Sequence, residues 1–292
     1  MCIRDRCLDD FPIPETFVHM PPFSLAALVD QVWNGLWNFC RPTAMIIFRI
    51  ATALFESNYI GHRLILLSLH LLNVFMVFAL ARILFRNEMA AVVSGLIFAT
   101  HPIHSECICL IVSLFDVSCM TFFLASLLAF ERYLVARESG PRAHARAWLL
   151  VTCLLLILCL GSKEVGIMLP FVMIAYDACS RIRKGRPKAS VIAVGRRAIP
   201  FLLILAAYIV FRIARYEQNV SYMSLFFDDP LGALRNLIDY FRLAFFPNEM
   251  WVVLLLMLPF ATKQYVFALA FLLLPLIPPL MIAPQERFVY IP

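Results

Sequence analysis

The sequence predicts an all-α, polytopic helical membrane protein with six to eight membrane helices, plus interfacial helices in its first outer loop. Three observations point there. Over 292 residues, 62% are hydrophobic and 15% charged, with a mean hydropathy of +0.84, against about 25% charged in ordinary soluble domains. The apolar residues gather into runs, the longest of which reach the ~20 residues that cross ~30 Å of hydrocarbon as a helix. The basic residues collect in alternate connections between those runs. A soluble enzyme is excluded. The net charge of +6, from 25 basic and 19 acidic residues, is modest and dispersed, so nucleic acid is not an expected partner. Nine cysteines include no CxxC pair, and most lie in apolar runs where Cys acts as a small hydrophobe, so neither a disulfide framework nor a zinc site is expected.

Taken in chain order, the first element is a Pro-rich stretch at 11–23 that cannot be regular helix, preceded by the acidic pair Asp9 and Asp10. Segment 24–40 carries Leu25, Leu28, Val29, Val32, Trp33, Leu36 and Trp37 at helical spacing. Such a stripe with tryptophans reads as a helix lying on the outer interface. Arg41, Pro42 and an amphipathic helix through Phe55 continue that layer, with Arg49 and Glu56 as its charges. Spanning candidates follow at 62–85, 89–100, 108–133, 147–161, 165–178 and 199–214. Beyond them, 231–246 carries three charges, 251–261 is too short to cross alone, and 265–282 is broken by Pro275, Pro278 and Pro279.

Orientation follows from the basic residues, because short loops rich in Lys and Arg stay on the cytoplasmic side. Arg82 and Arg86 follow the first span, Arg132, Arg137, Arg142 and Arg146 surround the third connection, and a dense run covers 181–197. The intervening loops at 101–106, 161–164 and 214–232 hold only Lys163 and Arg215. These loops and residues 1–61 are expected on the lumenal or exterior side, where Asn219 begins an N-x-S glycosylation sequon. The domain reading is therefore a first lumenal loop at 1–61 and a multi-pass domain at 62–292.

Helix rise adds a depth argument. At ~1.5 Å per residue, segments of 12 to 15 residues fall short of ~30 Å, so the polar groups that end 89–100 and 147–161 should sit below the outer surface. Those groups are His101, His104 and Glu106, and Ser162, Lys163 and Glu164. Ionisable groups at such depth need partners or a water-filled cavity and are functional-site candidates. Two histidines and a glutamate lack a convincing further ligand, so no divalent metal is expected. Lys163 and Glu164 also admit a structural reading, as an ion pair closing a tight hairpin. Asp116, His70 and Asn73 read as bonds to neighbouring helices, the common use of isolated polar groups in bundles.

The string RPTAMIIFRIATALFESNYIGHRLILLSLHLLNVFMVF from Arg41, then HPIHSE at His101 and SKEVGIMLP at Ser162, resembles the membrane half of the transmembrane and tetratricopeptide-repeat (TMTC-type) O-mannosyltransferases. DDPLGALRNLIDYFRLAFFP from Asp228 and QERFVYIP at Gln285 are similar to later segments of that family, and Asp9 and Asp10 resemble its acidic pair. The resemblance covers about residues 8–292. It implies a fold of the GT-C glycosyltransferase type in the endoplasmic reticulum membrane, a polyprenyl-phosphate sugar donor (dolichyl-phosphate mannose), and a protein acceptor, with no other cofactor. It implies Asp9 or Asp10 as the catalytic carboxylate, and His101, His104, Glu106, Lys163, Glu164 and Arg287 as donor-phosphate or acceptor contacts. The family pattern has a membrane helix ahead of the acidic loop and repeats after the last motif, so the chain is expected to be a fragment lacking both. Alternatives are a GT-C transferase using another polyprenyl-phosphate sugar, with a bacterial inner membrane as its location, a multi-pass transporter, or a membrane scaffold for partner binding.

Overall fold

A computed structural model describes residues 41–56, 58–101, 104–183 and 190–215. Among the described residues every regular element is helical. Helix α1 (Pro42–Phe55) has proline in its first turn, where a missing N–H costs nothing. Helix α2 (Tyr59–Phe85) starts where the Asn58 side chain accepts from the Ile60 N–H and ends at Arg86 in the left-handed region, φ 52°. Asn87 at once caps α3 (Glu88–Thr100), accepting from the Met89 and Ala90 amides, so α2 and α3 form a tight hairpin. Expected cytoplasmic arginines frame that turn, and Arg82 pairs with Glu88 at 2.7 Å.

A short helix, α4 (Ser105–Cys109), follows. Extended backbone at Leu110 breaks the apolar run before the 3-10 turn Ile111–Ser113 leads into α5 (Leu114–Ser139). Across Gly140 and Pro141 the chain reverses into α6 (Arg142–Leu160). The 3-10 segment Glu164–Met168 opens α7 (Leu169–Arg183), and α8 (Ser190–Arg215) carries Pro200 in its interior.

Helix α5 is the column around which the rest packs. In its apolar window 78% of residues are buried, against 28%, 28% and 22% for α2, α6 and α8. It tolerates Ser118 and Thr121 because their hydroxyls donate to the Leu114 and Val117 carbonyls one turn back, while the Ser126 hydroxyl donates to the Thr152 carbonyl of α6. The α5–α6 pair is antiparallel, with Cys119 facing Cys159 and Ser126 facing Thr152. The outward faces of the other long helices stay apolar, with Leu64, Phe75, Leu154 and Leu203 each more than half exposed. Such faces suit hydrocarbon.

Among the described residues, four helices are long and apolar enough to cross a membrane: Tyr59–Phe85, Ile111–Ser139, Arg142–Leu160 and Ala193–Ala214. They correspond to four of the expected spans. Two other expected spans appear as the 13-residue α3 and the 15-residue α7. The candidates at 231–246, 251–261 and 265–282, and the interfacial segment 24–40, lie outside the described residues. Helix α1 continues the chain as expected, but Arg49 is turned inward, 8% exposed, rather than forming part of a charged outer face.

Candidate functional site

The polar groups at one end of the bundle are assembled from four separate stretches of chain. The site begins where the Thr43 amide donates to the Gly161 carbonyl at 2.9 Å, pinning the start of α1 to the end of α6. A Cβ at Gly161 would lie 2.4 Å from the Thr43 hydroxyl oxygen, so the close approach requires glycine there. This junction places Arg41 over Glu164. Its Nη2 donates to Oε2 at 2.8 Å and its Nε to Oε1 at 3.3 Å. That is a fork-to-fork pair. The guanidinium also lies 4.9 Å from the centre of the Phe115 ring, a cation–π contact, and Phe115 in turn packs on Phe48.

From α8, Arg212 approaches the same carboxylate, with Nη2 donating to Oε1 at 3.4 Å and Nη1 to the Tyr208 hydroxyl at 3.3 Å. Burial alone would push the Glu164 carboxyl up. The two guanidiniums outweigh it and hold the carboxyl at about 2. Beside this triad, the Lys163 ammonium pairs with the Asp116 carboxylate of α5. Both are buried, 6% and 3% exposed. Among the described residues, three cations thus meet two carboxylates.

A second group lies on the neighbouring helices. His104 packs 4.5 Å from Phe98, 5.8 Å from His70 and 5.9 Å from His101, measured between ring centres. Burial, reinforced by the other two imidazoles, pushes His104 down to about 3, and burial lowers His101 as well. These rings are therefore neutral hydrogen-bonding groups at physiological pH. The depth argument gains a direct counterpart here: the end of α3 lies beside His70, about three turns into α2. The Asn73 side-chain amide, one turn beyond His70, donates to the Val117 carbonyl next to Asp116 at 3.2 Å. The histidines and the ion cluster therefore flank one helix–helix contact at one level of the bundle.

Several sequence expectations are met and one is corrected. Asn73 and Asp116 do bond to neighbouring elements. Lys163 and Glu164 do not close a hairpin by pairing with each other, because adjacent residues on this turn point their side chains apart: Lys163 turns to Asp116 and Glu164 to Arg41 and Arg212. Glu106 falls within α4. Asp9, Asp10, Asn219 and Arg287 lie outside the described residues. Among the described residues, no three His, Cys, Asp or Glu side chains converge to hold a metal ion. Sequence reasoning missed Arg41 and Arg212 as partners of Glu164; an arginine within an apolar run was the available signal for Arg212.

A multi-pass α-helical membrane protein with a buried ion cluster at one end of its bundle is the class these features define. The chain belongs to the dolichyl-phosphate-mannose-protein mannosyltransferase family, whose profile matches residues 41–211. It is 29% identical over 140 residues to protein O-mannosyl-transferase Tmtc1 of Drosophila melanogaster, covering 48% of this chain and 15% of that protein. It is 31% identical over 144 residues to protein O-mannosyl-transferase TMTC2 of Homo sapiens, covering 49% and 17%. With protein O-mannosyl-transferase TMTC1 of Mus musculus it shares 29% identity over 148 residues, covering 49% and 16%. The matched stretch is thus less than one fifth of each of these relatives. No solved structure matches the chain.

Proposed function

We propose that this chain is membrane machinery of a protein O-mannosyltransferase of the GT-C type, moving mannose from dolichyl-phosphate mannose to Ser or Thr hydroxyls of proteins on the lumenal side of the endoplasmic reticulum membrane. Residues 1–61 form the lumenal loop in this reading and residues 62–292 the multi-pass domain. The observation that carries it is the meeting of Arg41, Arg212 and Lys163 with Glu164 and Asp116 among the described residues, within a chain of this family. A lipid-linked sugar phosphate is an anion that must be held at the membrane boundary, and guanidinium and ammonium groups gathered in one cluster supply the field for it.

The chemistry divides as follows. A Ser or Thr hydroxyl is a weak nucleophile, so Asp9 or Asp10 accepts its proton as the oxygen bonds to the anomeric carbon, a contribution of about 10²–10⁴-fold. The carbon–oxygen bond to phosphate breaks and the electron pair leaves with the phosphate, whose charge the arginines and Arg287 stabilise. Lys163 acts through its pairing with Asp116 as part of that field. His101 and His104, being neutral, serve the acceptor by hydrogen bonding together with Glu106, and Glu164 aligns the two arginines. Microsomes holding the full-length protein and supplied with labelled dolichyl-phosphate mannose test the reading. Label on protein should vanish in the variant Asp9→Asn plus Asp10→Asn, and in Arg212→Gln the KM for the donor should rise. Labelling that survives the double aspartate change, or a donor KM unaltered in Arg212→Gln, overturns it.

A further inference from the structure

Cys119 and Cys159 are both completely buried, 0% exposed, and their sulfurs lie 3.7 Å apart across the α5–α6 hairpin. Each thiol also reaches the opposite backbone: Cys119 Sγ to the Cys159 carbonyl at 3.8 Å, and Cys159 Sγ to the Cys119 carbonyl at 3.6 Å. The Cys119 thiol further approaches the Lys163 carbonyl at 3.9 Å. That reciprocal pattern, each sulfur against the other residue's backbone, places the two side chains on facing sides of an antiparallel pair. A disulfide needs the sulfurs at about 2.05 Å, which shortens an existing contact without exchanging neighbours.

Position along the helices gives the pair a consequence. Cys119 follows Asp116 by one turn on α5, and Cys159 precedes Lys163 by four residues at the end of α6. The sulfurs therefore sit one turn beneath the Lys163–Asp116 ion pair and tie together the two elements that carry it.

We propose that Cys119 and Cys159 are a disulfide-forming pair, and that their oxidation locks α5 to α6 directly below the buried ion pair. The reaction is thiol–disulfide exchange. One thiolate attacks a small disulfide or the disulfide of an oxidoreductase, releasing one donor thiol. The second thiolate then displaces the other donor thiol from the mixed disulfide. Two protons and two electrons leave the cysteines, and the donor ends as two thiols. Their complete burial places the exchange at the stage when the hairpin forms, before the sulfurs are covered, and shields the finished bond from reductants.

The test makes the full chain by translation into microsomes with oxidised glutathione present, so that a small disulfide is available while the hairpin forms. Denatured without reductant, this chain should bind two fewer maleimides than a portion of it denatured first and then reduced with dithiothreitol. Peptide mapping of the unsubstituted protein should find the 119 and 159 peptides joined. Cys119→Ser and Cys159→Ser should each lose the protection and leave the remaining thiol reactive. An unchanged thiol count overturns the proposal, and so does a link that maps to Cys107 or Cys153. Since mapping needs no substitution and no sugar transfer, the result stands whether or not the variants fold and whether or not the chain is a transferase.

Discussion

Arg41 reaches Glu164 across 123 residues of sequence and grips it with two donors, Nη2 to Oε2 at 2.8 Å and Nε to Oε1 at 3.3 Å. The contact joins the start of α1 to the turn between α6 and α7, and Arg212 of α8 completes it. Three parts of the bundle are thereby referred to one carboxylate.

The first prediction concerns acid. The Glu164 carboxyl is held at about 2, below its ordinary 4.5. A depressed carboxylate contributes stability that is fully present above its unfolded value and is lost as pH falls from there through the folded value. The detergent-solubilised protein should therefore keep its melting temperature from pH 7 to about 5 and lose it progressively below. In Glu164→Gln the loss over that acid range should flatten, with about 1–3 kcal/mol already missing at pH 7. A melting series in which both proteins respond alike contradicts it.

The buried pair of Lys163 and Asp116 should behave asymmetrically under substitution. Removing one partner leaves a buried charge uncompensated, so Lys163→Met or Asp116→Leu alone should cost about 3–5 kcal/mol, whereas the double change should cost far less. Thermal denaturation of the three variants gives the coupling. Additive losses would show that the two groups do not depend on each other.

Glycine at 161 is required by space. Gly161→Ala brings a Cβ to 2.4 Å from the Thr43 hydroxyl oxygen, and overpacking of this kind costs about 1–3 kcal/mol. Adding Thr43→Ala should return part of that loss. Gly95→Ala meets nothing nearer than the Phe78 Cβ at 3.4 Å and should be tolerated within about 1 kcal/mol. Equal losses at both glycines in a melting comparison would refute this assignment.

Sidedness can be read with engineered glycosylation acceptors. The turns at 86–87 and 140–141 belong to one end of the bundle and residues 161–163 to the other. Acceptors placed at 140–141 should remain unmodified, and one placed before α2 should gain a glycan in microsomes. A glycan at 140–141 with none before α2 would invert the charge-based orientation.

Much of the architecture was legible because membranes impose a length rule. The runs at 62–85 and 199–214 are plain in the sequence and lie within two of the long helices described, and the run at 147–161 overruns a third by one residue, Gly161. Their edges were less legible, since α6 begins at Arg142, where charged residues extend a helix beyond its apolar stretch. The shortness of α3 was also readable. The pairing of charges was not. Neighbours on adjacent turns follow from periodicity, but Asp116 lies 47 residues from Lys163 and Arg212 lies 48 from Glu164, and only the packing of whole helices brings them together. For the same reason the contiguous Lys163 and Glu164 invited a pairing that their opposed side-chain directions rule out.

The interior proline of α8 acquires a meaning from what surrounds it. Below Pro200, Arg197 is fastened to Asp177 of α7 at 3.0 Å; above it, Arg212 reaches Glu164 at 3.4 Å. A proline removes one rung of the ladder that stiffens a helix, so α8 is a rod with a joint near its bolted foot. Any swing of its upper arm is felt first at the latch that Arg212 makes.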